Sequence, residues 1–251
     1  MADIPIGLQL YSVRQDCEAD LPAVLDQVAE MGYAGVDFAG YYGRDAQELR
    51  AMLDQRGLAC CGCHAPLASV QDDQLAATID FALALGIPYL VVPGLPEEWR
   101  NSPDAWRRTA DFFNRLAEKL QPHGLRTGYH NHAVEFQPLD GELPWVVLGE
   151  ATRPDVILQL DTGNCLHGGG DPVAMLERFP GRSTTVHLKE YSEDDPKALI
   201  GEGQCPWDDI FDRCERLGGT EWYIVEQESY AYPPLECVRR CLDNLRKMGK
   251  A

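Results

Sequence analysis

Eight strand-like segments alternate with amphipathic segments along the chain, and this alternation limits the folds that the chain can adopt. Short apolar runs predict strands near residues 6–13, 35–39, 58–64, 89–93, 126–132, 156–161, 183–189 and 222–227. Alternating strands and helices form a parallel sheet that the helices cover. Eight such units in 251 residues fit a closed α/β barrel, a single (β/α)₈ TIM barrel, better than an open sheet.

Apolar residues recur at helical spacing between the strands, and typical boundary residues flank these segments. Glycines in MGYAG, RGLAC, LGIPY and HGLRT follow helix-like runs, and NSPDAW has the form of a capped helix start. The helices are predicted over residues 21–31, 46–55, 73–85, 102–120, 173–179, 207–217 and 234–248. No linker or low-complexity segment interrupts the pattern, so we expect one domain over residues 1–251.

Charge and composition exclude several classes of function. The formal net charge is -18, which argues against binding to nucleic acid and to anionic membrane surfaces, since both need basic patches. The sequence contains no apolar run long enough for a membrane helix and no secretory signal pattern. Nine cysteines without a disulfide-like spacing indicate a reducing compartment, and we therefore expect a cytoplasmic protein.

Three of these cysteines lie close together in the segment LACCGCHA. Cys60, Cys61 and Cys63 precede His64, and such a cluster could bind a soft metal. A second ligand pair at zinc-site spacing is missing from the sequence, however. Small buried cysteines of a strand are therefore the favoured interpretation.

Ligand-type side chains follow each of the last four predicted strands. They are Glu135 in GYHNHAVEF, Asp161 in VILQLDTGN, His187 in STTVHLKEY and Glu226 in WYIVEQES. The carboxyl ends of the strands converge on one face of a parallel barrel. Three carboxylates and one imidazole at that face could bind one divalent ion, and Mn²⁺, Mg²⁺, Co²⁺ and Zn²⁺ all suit such ligands.

These motifs resemble those of the sugar isomerase/epimerase superfamily with a xylose-isomerase-like barrel. The resemblance is carried by YHNHAVEF (129–136), LDTGNCLHGGGDP (160–172), HLKEY (187–191), IGEGQCPW (200–207) and VEQE (225–228), with IGLQLYSVR and GYAGVDFAG near the N-terminus. It implies one metal held by a Glu–Asp–His–Glu set, which corresponds to Glu135, Asp161, His187 and Glu226. Such barrels commonly form dimers or tetramers, so the resemblance also implies a homo-oligomer.

The first member of this set has an alternative in the sequence. His130 and His132 share a face of the predicted fifth strand by period two, and Glu135 lies a few residues beyond. Glu135 is the predicted ligand, but it could instead support or contact the substrate while His130 or His132 lies nearer the metal. Asn164 stands where several epimerases of the superfamily carry a histidine, which weakens the assignment to one specific ketose epimerase.

The implied reaction begins with removal of a proton next to the carbonyl group of a sugar or polyol. The metal would stabilise the resulting enediolate, and Glu226 or His132 would act as the base, with Glu135 also a catalytic candidate. The predicted substrate contacts are His64, His130, Asn164, Lys189 and Trp207. Isomerisation or epimerisation is the favoured activity. The alternatives are dehydration of an inosose, cleavage of a 3-keto-glycoside, or a sugar-binding barrel without catalysis.

Overall fold

The computed structural model describes residues 4–250, which form a closed barrel of eight parallel strands. The strands pair in chain order, and β1 also pairs with β8 to close the barrel. Their bounds are Ile6–Gln9 (β1), Gly35–Phe38 (β2), Ala59–His64 (β3), Tyr89–Val92 (β4), Arg126–His130 (β5), Ile157–Asp161 (β6), Thr185–Leu188 (β7) and Trp222–Val225 (β8). The predicted (β/α)₈ barrel is confirmed.

Helices follow the strands and cover the outside of the barrel. They are Arg14–Met31 (α1), Ala46–Arg56 (α2), Leu75–Leu85 (α3), Pro103–Leu120 (α4), Pro144–Ala151 (α5), Thr162–His167 (α6), Pro172–Arg178 (α7), Trp207–Arg213 (α8) and Pro234–Lys247 (α9). The sequence pattern did not predict α5 and α6. Both are short, and α6 begins directly after Asp161, the last residue of β6.

The boundary residues behave as their chemistry predicts. Gly32, Gly57 and Gly86 end α1, α2 and α3 in the left-handed conformation, with φ of 96°, 66° and 81°. Ser102 caps α4, since its hydroxyl oxygen accepts a hydrogen bond from the Ala105 amide at 3.1 Å. Helix α1 starts earlier than predicted and breaks at Asp20 (φ -157°), next to the predicted start at residue 21.

Two apolar cores hold the barrel together. The larger one lies between the sheet and the helices, and a small cluster of Tyr89, Val91 and Ile157, packed against Trp222, forms a separate core. Cys61 is fully buried, and its sulfur lies within 2.7 Å of the position that a Cβ on Gly7 or Gly35 would occupy. Glycine is therefore needed at Gly7 in β1 and at Gly35 in β2.

The cysteines of LACCGCHA are free and buried, as the strand interpretation predicted. Within residues 4–250, the groups that could hold a metal include His64 but none of these cysteines. None of the helices in this part of the chain is both long and apolar enough to cross a membrane. The predicted domain of residues 1–251 includes residues 1–3 and 251, which lie outside the described residues.

Candidate active site

Four buried side chains converge at the carboxyl end of the barrel, one from each of the last four strands or just after it. They are His130, Asp161, His187 and Glu226, and each offers one ligand atom within 4.8 Å of the others. The strand order explains the convergence, because β5 to β8 are consecutive neighbours and their carboxyl ends share one edge. Asp161, His187 and Glu226 thus come together as their positions in the sequence indicated.

One oxygen of the Asp161 carboxylate is hydrogen-bonded, and the other has no hydrogen-bond partner among residues 4–250. Its Oδ1 accepts a hydrogen bond from the Asn164 amide at 2.7 Å, which caps α6. The Asn131 side chain binds the Asp161 amide and carbonyl at 2.8 and 3.2 Å. Oδ2 is buried without a hydrogen-bond partner among residues 4–250, and it lies 4.0 Å from Nε2 of His130. Burial raises the pKa of Asp161 to about 7.

His187 and Glu226 form a buried pair. Nδ1 of His187 lies 2.6 Å from Oε2 of Glu226, and Nε2 lies 3.4 Å from Oδ2 of Asp37. Burial alone would lower the pKa of His187, but the two carboxylates outweigh it and raise the pKa to about 9. Burial would likewise raise the pKa of Glu226, but Lys189 and His187 hold it well below its usual range. Both groups are therefore charged at neutral pH in the free protein.

Lys189 extends the charged group toward the opening of the barrel. Its Nζ lies 3.5 Å from Oε1 of Glu226 and also contacts Glu228. Burial would lower its pKa, but Asp161, Glu226 and Glu228 outweigh that effect and raise it. The ammonium group is thus a permanent cation at the edge of the site.

Gln159 fixes the orientation of two imidazole rings. Its Oε1 lies 2.8 Å from Nε2 of His64 and 3.0 Å from Nδ1 of His130, while its amide nitrogen donates to Thr185 at 2.7 Å. Because that oxygen can only accept, both ring nitrogens carry the hydrogen. The lone pair of His130 is then on Nε2, which faces Asp161. Burial lowers the pKa of both imidazoles, so both are neutral at neutral pH.

The structure does not bring Glu135 into the group, which corrects the predicted ligand set. Its carboxylate accepts hydrogen bonds from the Tyr129 hydroxyl and the His132 amide, both at 2.7 Å. Tyr129 packs against Trp106 of α4 on the outside of the barrel, whereas the next residue, His130, points inside. Glu135 therefore caps the short turn after β5. His130 is the residue that joins Asp161, His187 and Glu226 in the position predicted for Glu135. The same hydrogen bonds engage both carboxylate oxygens, so the structure gives no support to Glu135 as a catalytic group.

A cavity of about 550 Å³ opens at this end of the barrel. It is lined by His64, His130, His132, Glu226 and Glu228, together with Tyr11 and apolar residues. His64 stacks on His187 with ring centroids 5.0 Å apart. The side chain of His132 is exposed at the opening.

Three predicted substrate contacts do not line the cavity: Trp207, Asn164 and Lys189, of which Lys189 contacts the lining residues Glu226 and Glu228. Trp207 does not line the cavity; its indole nitrogen donates to Glu190 at 2.9 Å and its ring stacks on Phe211. Its role is to hold the segment between β7 and α8. Asn164 lies beside Asp161, and its side-chain amide donates to the Asn131 carbonyl at 3.3 Å, away from the cavity lining.

Sequence reasoning missed Asp37 and Gln159. Gln9 donates to Asp37 at 2.8 Å, which places this buried carboxylate beneath His187. A signal for Gln159 was available, since it stands two residues before Asp161 in an otherwise apolar strand and so shares its face. Asp37 likewise is the polar residue of a buried strand.

The residues present fit a divalent metal ion. Two imidazoles and two carboxylates are donors that first-row divalent metals accept. The Oδ2 atom of Asp161 supports this fit, because a buried carboxylate oxygen without a partner is costly unless a ligand satisfies it. The 2.6 Å contact between His187 and Glu226 keeps two further donors adjacent.

Comparisons with known proteins point to one family. Residues 25–248 match the family model described as xylose isomerase-like TIM barrel. Inosose dehydratase from Geobacillus kaustophilus is 26% identical over 245 residues, which cover 82% of this chain and 79% of that protein. The structure of a sugar phosphate isomerase/epimerase from Parabacteroides distasonis matches with a TM-score of 0.84 and 25% identity, over 98% of this chain and 94% of that one. A structure of the IOLI protein with a zinc atom matches with a TM-score of 0.78 and 13% identity, over 98% of both chains.

Proposed function

Because the chain belongs to the xylose isomerase-like TIM barrel family, we propose that it is a metal-dependent isomerase or epimerase of a sugar- or polyol-derived ketone. The observation that carries the proposal is the convergence of His130, Asp161, His187 and Glu226, where Oδ2 of Asp161 has no hydrogen-bond partner among residues 4–250. The cavity beside them, of about 550 Å³, has the size of a small-molecule site.

His130, Asp161, His187 and Glu226 would hold the metal, which replaces Glu135 of the predicted set by His130. A bound divalent ion supplies Lewis-acid chemistry, since it stabilises negative charge on the oxygens of a keto-sugar. The structure of the IOLI protein, which has the same fold, contains a zinc atom, and Mn²⁺, Mg²⁺, Co²⁺ and Zn²⁺ are the metals to test.

The residues of the chain account for the proton transfer. Glu226 is ionised at neutral pH and lines the cavity, so its Oε1, whose contact with Lys189 is a long 3.5 Å, would accept the proton next to the substrate carbonyl. His132 lines the same cavity from its exposed position and would return a proton or act as the base from another side. Lys189, whose ammonium group contacts the cavity-lining Glu226 and Glu228, would stabilise negative charge on the substrate oxygen.

Dehydration is the second candidate, and the similarity to inosose dehydratase favours it. It begins with the same proton removal but ends with loss of a hydroxyl group from the neighbouring carbon. That step needs a proton donor for the departing oxygen, and His132 lines the cavity where such a donor would act. The two reactions therefore share Glu226 and Lys189 and differ in the step after proton removal.

Elemental analysis of the purified protein tests the metal site first. We expect about one equivalent of a divalent metal in the parent, and its loss in Asp161→Asn and Glu226→Gln. Asp111→Asn is a matched control, because Asp111 is an exposed aspartate of α4. A protein that contains no metal and binds none on reconstitution contradicts the proposed enzyme and favours a sugar-binding barrel without catalysis.

Proton exchange then identifies the reaction. Keto-sugars and inososes are incubated in deuterated water, with metal or with a chelator, and followed by NMR. Metal-dependent deuterium uptake next to the carbonyl supports proton removal. Formation of an isomer or epimer then indicates isomerisation, whereas an unsaturated ketone formed by loss of water indicates dehydration. Uptake that persists with the chelator, or in Glu226→Gln, would contradict the proposed roles.

A further inference from the structure

A second cavity adjoins the one at the barrel opening. It has a volume of about 360 Å³, and the two share Ala39, His64 and Pro66. The remaining walls are formed by the segment after β2 and by α3, chiefly Tyr41 and Phe81. We call it the side pocket. A molecule that binds beside His64 in the first cavity can therefore extend into the second.

The walls of the side pocket are held in a fixed arrangement. The rings of Tyr41 and Phe81 pack against each other with centroids 4.2 Å apart, and Tyr41 also packs on Phe38 of β2. Ala77, Thr78 and Phe81 belong to α3, where residues three and four apart share one face. Aromatic rings on a helix and a neighbouring loop thus form one side of a preformed apolar surface.

The three hydroxyl groups that line the side pocket are already donating hydrogen bonds inside the protein. Thr78 donates to the Ser69 carbonyl at 2.6 Å, and Ser69 donates to the Pro66 carbonyl at 2.7 Å. The Tyr41 hydroxyl donates to the sulfur of Cys63 at 3.5 Å. The hydroxyl groups of a sugar ring placed here would lose their hydrogen bonds to water. They could not accept hydrogen bonds from these three protein hydroxyls in exchange, so binding would cost free energy. A group made of carbon would not have that cost.

We propose that the side pocket is a subsite for an apolar, ring-sized substituent on the substrate. The substrate would then be a keto-sugar that carries an aromatic or aliphatic group, such as a glycoside with an apolar aglycone. This inference rests on the proposed function for the sugar part of the substrate. The substituent itself is recognised by contact with Tyr41 and Phe81, which needs neither the metal nor catalysis.

Binding of a matched pair of probes tests the subsite apart from catalysis. Dissociation constants of phenyl β-D-glucoside and methyl β-D-glucoside are measured by ligand-detected NMR. We expect phenyl to bind about tenfold more tightly, because burial of a ring removes apolar area from water. Saturation transferred from the protein should be strongest at the phenyl protons. Equal binding of the two probes, or tighter binding of a β-linked disaccharide than of the phenyl glucoside, overturns the proposal.

Variants on α3 locate the binding. Ala77→Trp fills the side pocket from an exposed helical position, so the preference for the phenyl probe should disappear. Ala76→Trp, at the exposed neighbouring position, should retain the preference. Phe81→Ala should weaken binding of the phenyl probe, because it removes part of the pocket wall. It is the variant to use if Ala77→Trp does not fold. A preference that survives both Ala77→Trp and Phe81→Ala overturns the subsite.

The same probe pair, oxidised to ketones, separates this inference from the proposed function. If both ketones exchange deuterium equally well, and Ala77→Trp affects them equally, the enzyme proposal stands and the subsite fails. If neither ketone exchanges but phenyl binding still depends on Ala77 and Phe81, the subsite stands and the proposed reaction on these sugars fails.

Discussion

Gln159 is the residue on which the orientation of His130 depends. Its Oε1 accepts from both His64 and His130, which leaves Nε2 of His130 as the nitrogen available to a metal. Partners of this kind typically contribute tenfold to a hundredfold to metal affinity. We therefore expect Gln159→Leu to lower the affinity for Mn²⁺ by about tenfold or more.

Calorimetric titration of the metal-free protein measures this effect. Gln55→Leu is the matched control, because it makes the same substitution at an exposed position of α2. The control should retain affinity close to that of the parent. Unchanged affinity in Gln159→Leu would show that the ring of His130 does not need this hydrogen bond.

The protonation of Asp161 and His187 predicts how metal affinity depends on pH. Their pKa values are raised to about 7 and about 9, and both must lose a proton to act as ligands. Between pH 9 and 7, binding displaces one proton, from His187. Below pH 7 it also displaces the proton of Asp161. The affinity for the metal should thus fall about tenfold for each unit by which the pH drops from 9 to 7. It should fall more steeply as the pH drops below 7.

Proton release measured in buffers of different ionisation enthalpy checks this prediction directly. Titration with Mn²⁺ should release about one proton at pH 8 and about two at pH 6. Affinity that stays constant or rises as the pH falls would contradict the assignment of these two groups as ligands.

At the scale of elements, Glu190 organises the segment between β7 and α8. Its carboxylate accepts hydrogen bonds from the amides of Gly201 and Cys205, at 2.6 and 3.0 Å, and from the indole of Trp207. Glu190→Ala leaves these donors without their partner, and we expect the free energy of unfolding to fall by about 3 kcal/mol. Urea denaturation measures it. Glu193→Ala, at an exposed position of the same segment, should change it little, and an equal loss in both variants would contradict this role.

The strands and most helices could be predicted from the sequence because apolar period and boundary residues act locally. The same reasoning left the first ligand open, because the choice depends on where β5 ends. The strand was predicted to residue 132 but ends at His130, so Glu135 falls in a turn and bonds to Tyr129 on the outside. The side pocket was beyond prediction for a different reason. It needs Tyr41 and Phe81 in contact across two units of the barrel, which only tertiary packing determines.

At the scale of the whole molecule, the barrel buries all nine cysteines, and none of them forms a disulfide. Burial raises the pKa of Cys17, Cys60, Cys214 and Cys241 to about 12. The reactive thiolate of these four residues is therefore scarce at pH 8, and all nine cysteine side chains are buried away from solvent.

Thiol labelling at pH 8 should consequently report the folding state of the entire barrel. We expect reaction of fewer than one thiol per molecule within minutes for the native protein, and of all nine in guanidinium chloride. The labelling rate should rise together with loss of the circular dichroism signal, because the cysteines are spread from α1 to α9 and no local opening exposes them all. Rapid labelling of several thiols in the native protein would show that part of the barrel opens independently. Labelling that begins before the circular dichroism changes would indicate the same local opening.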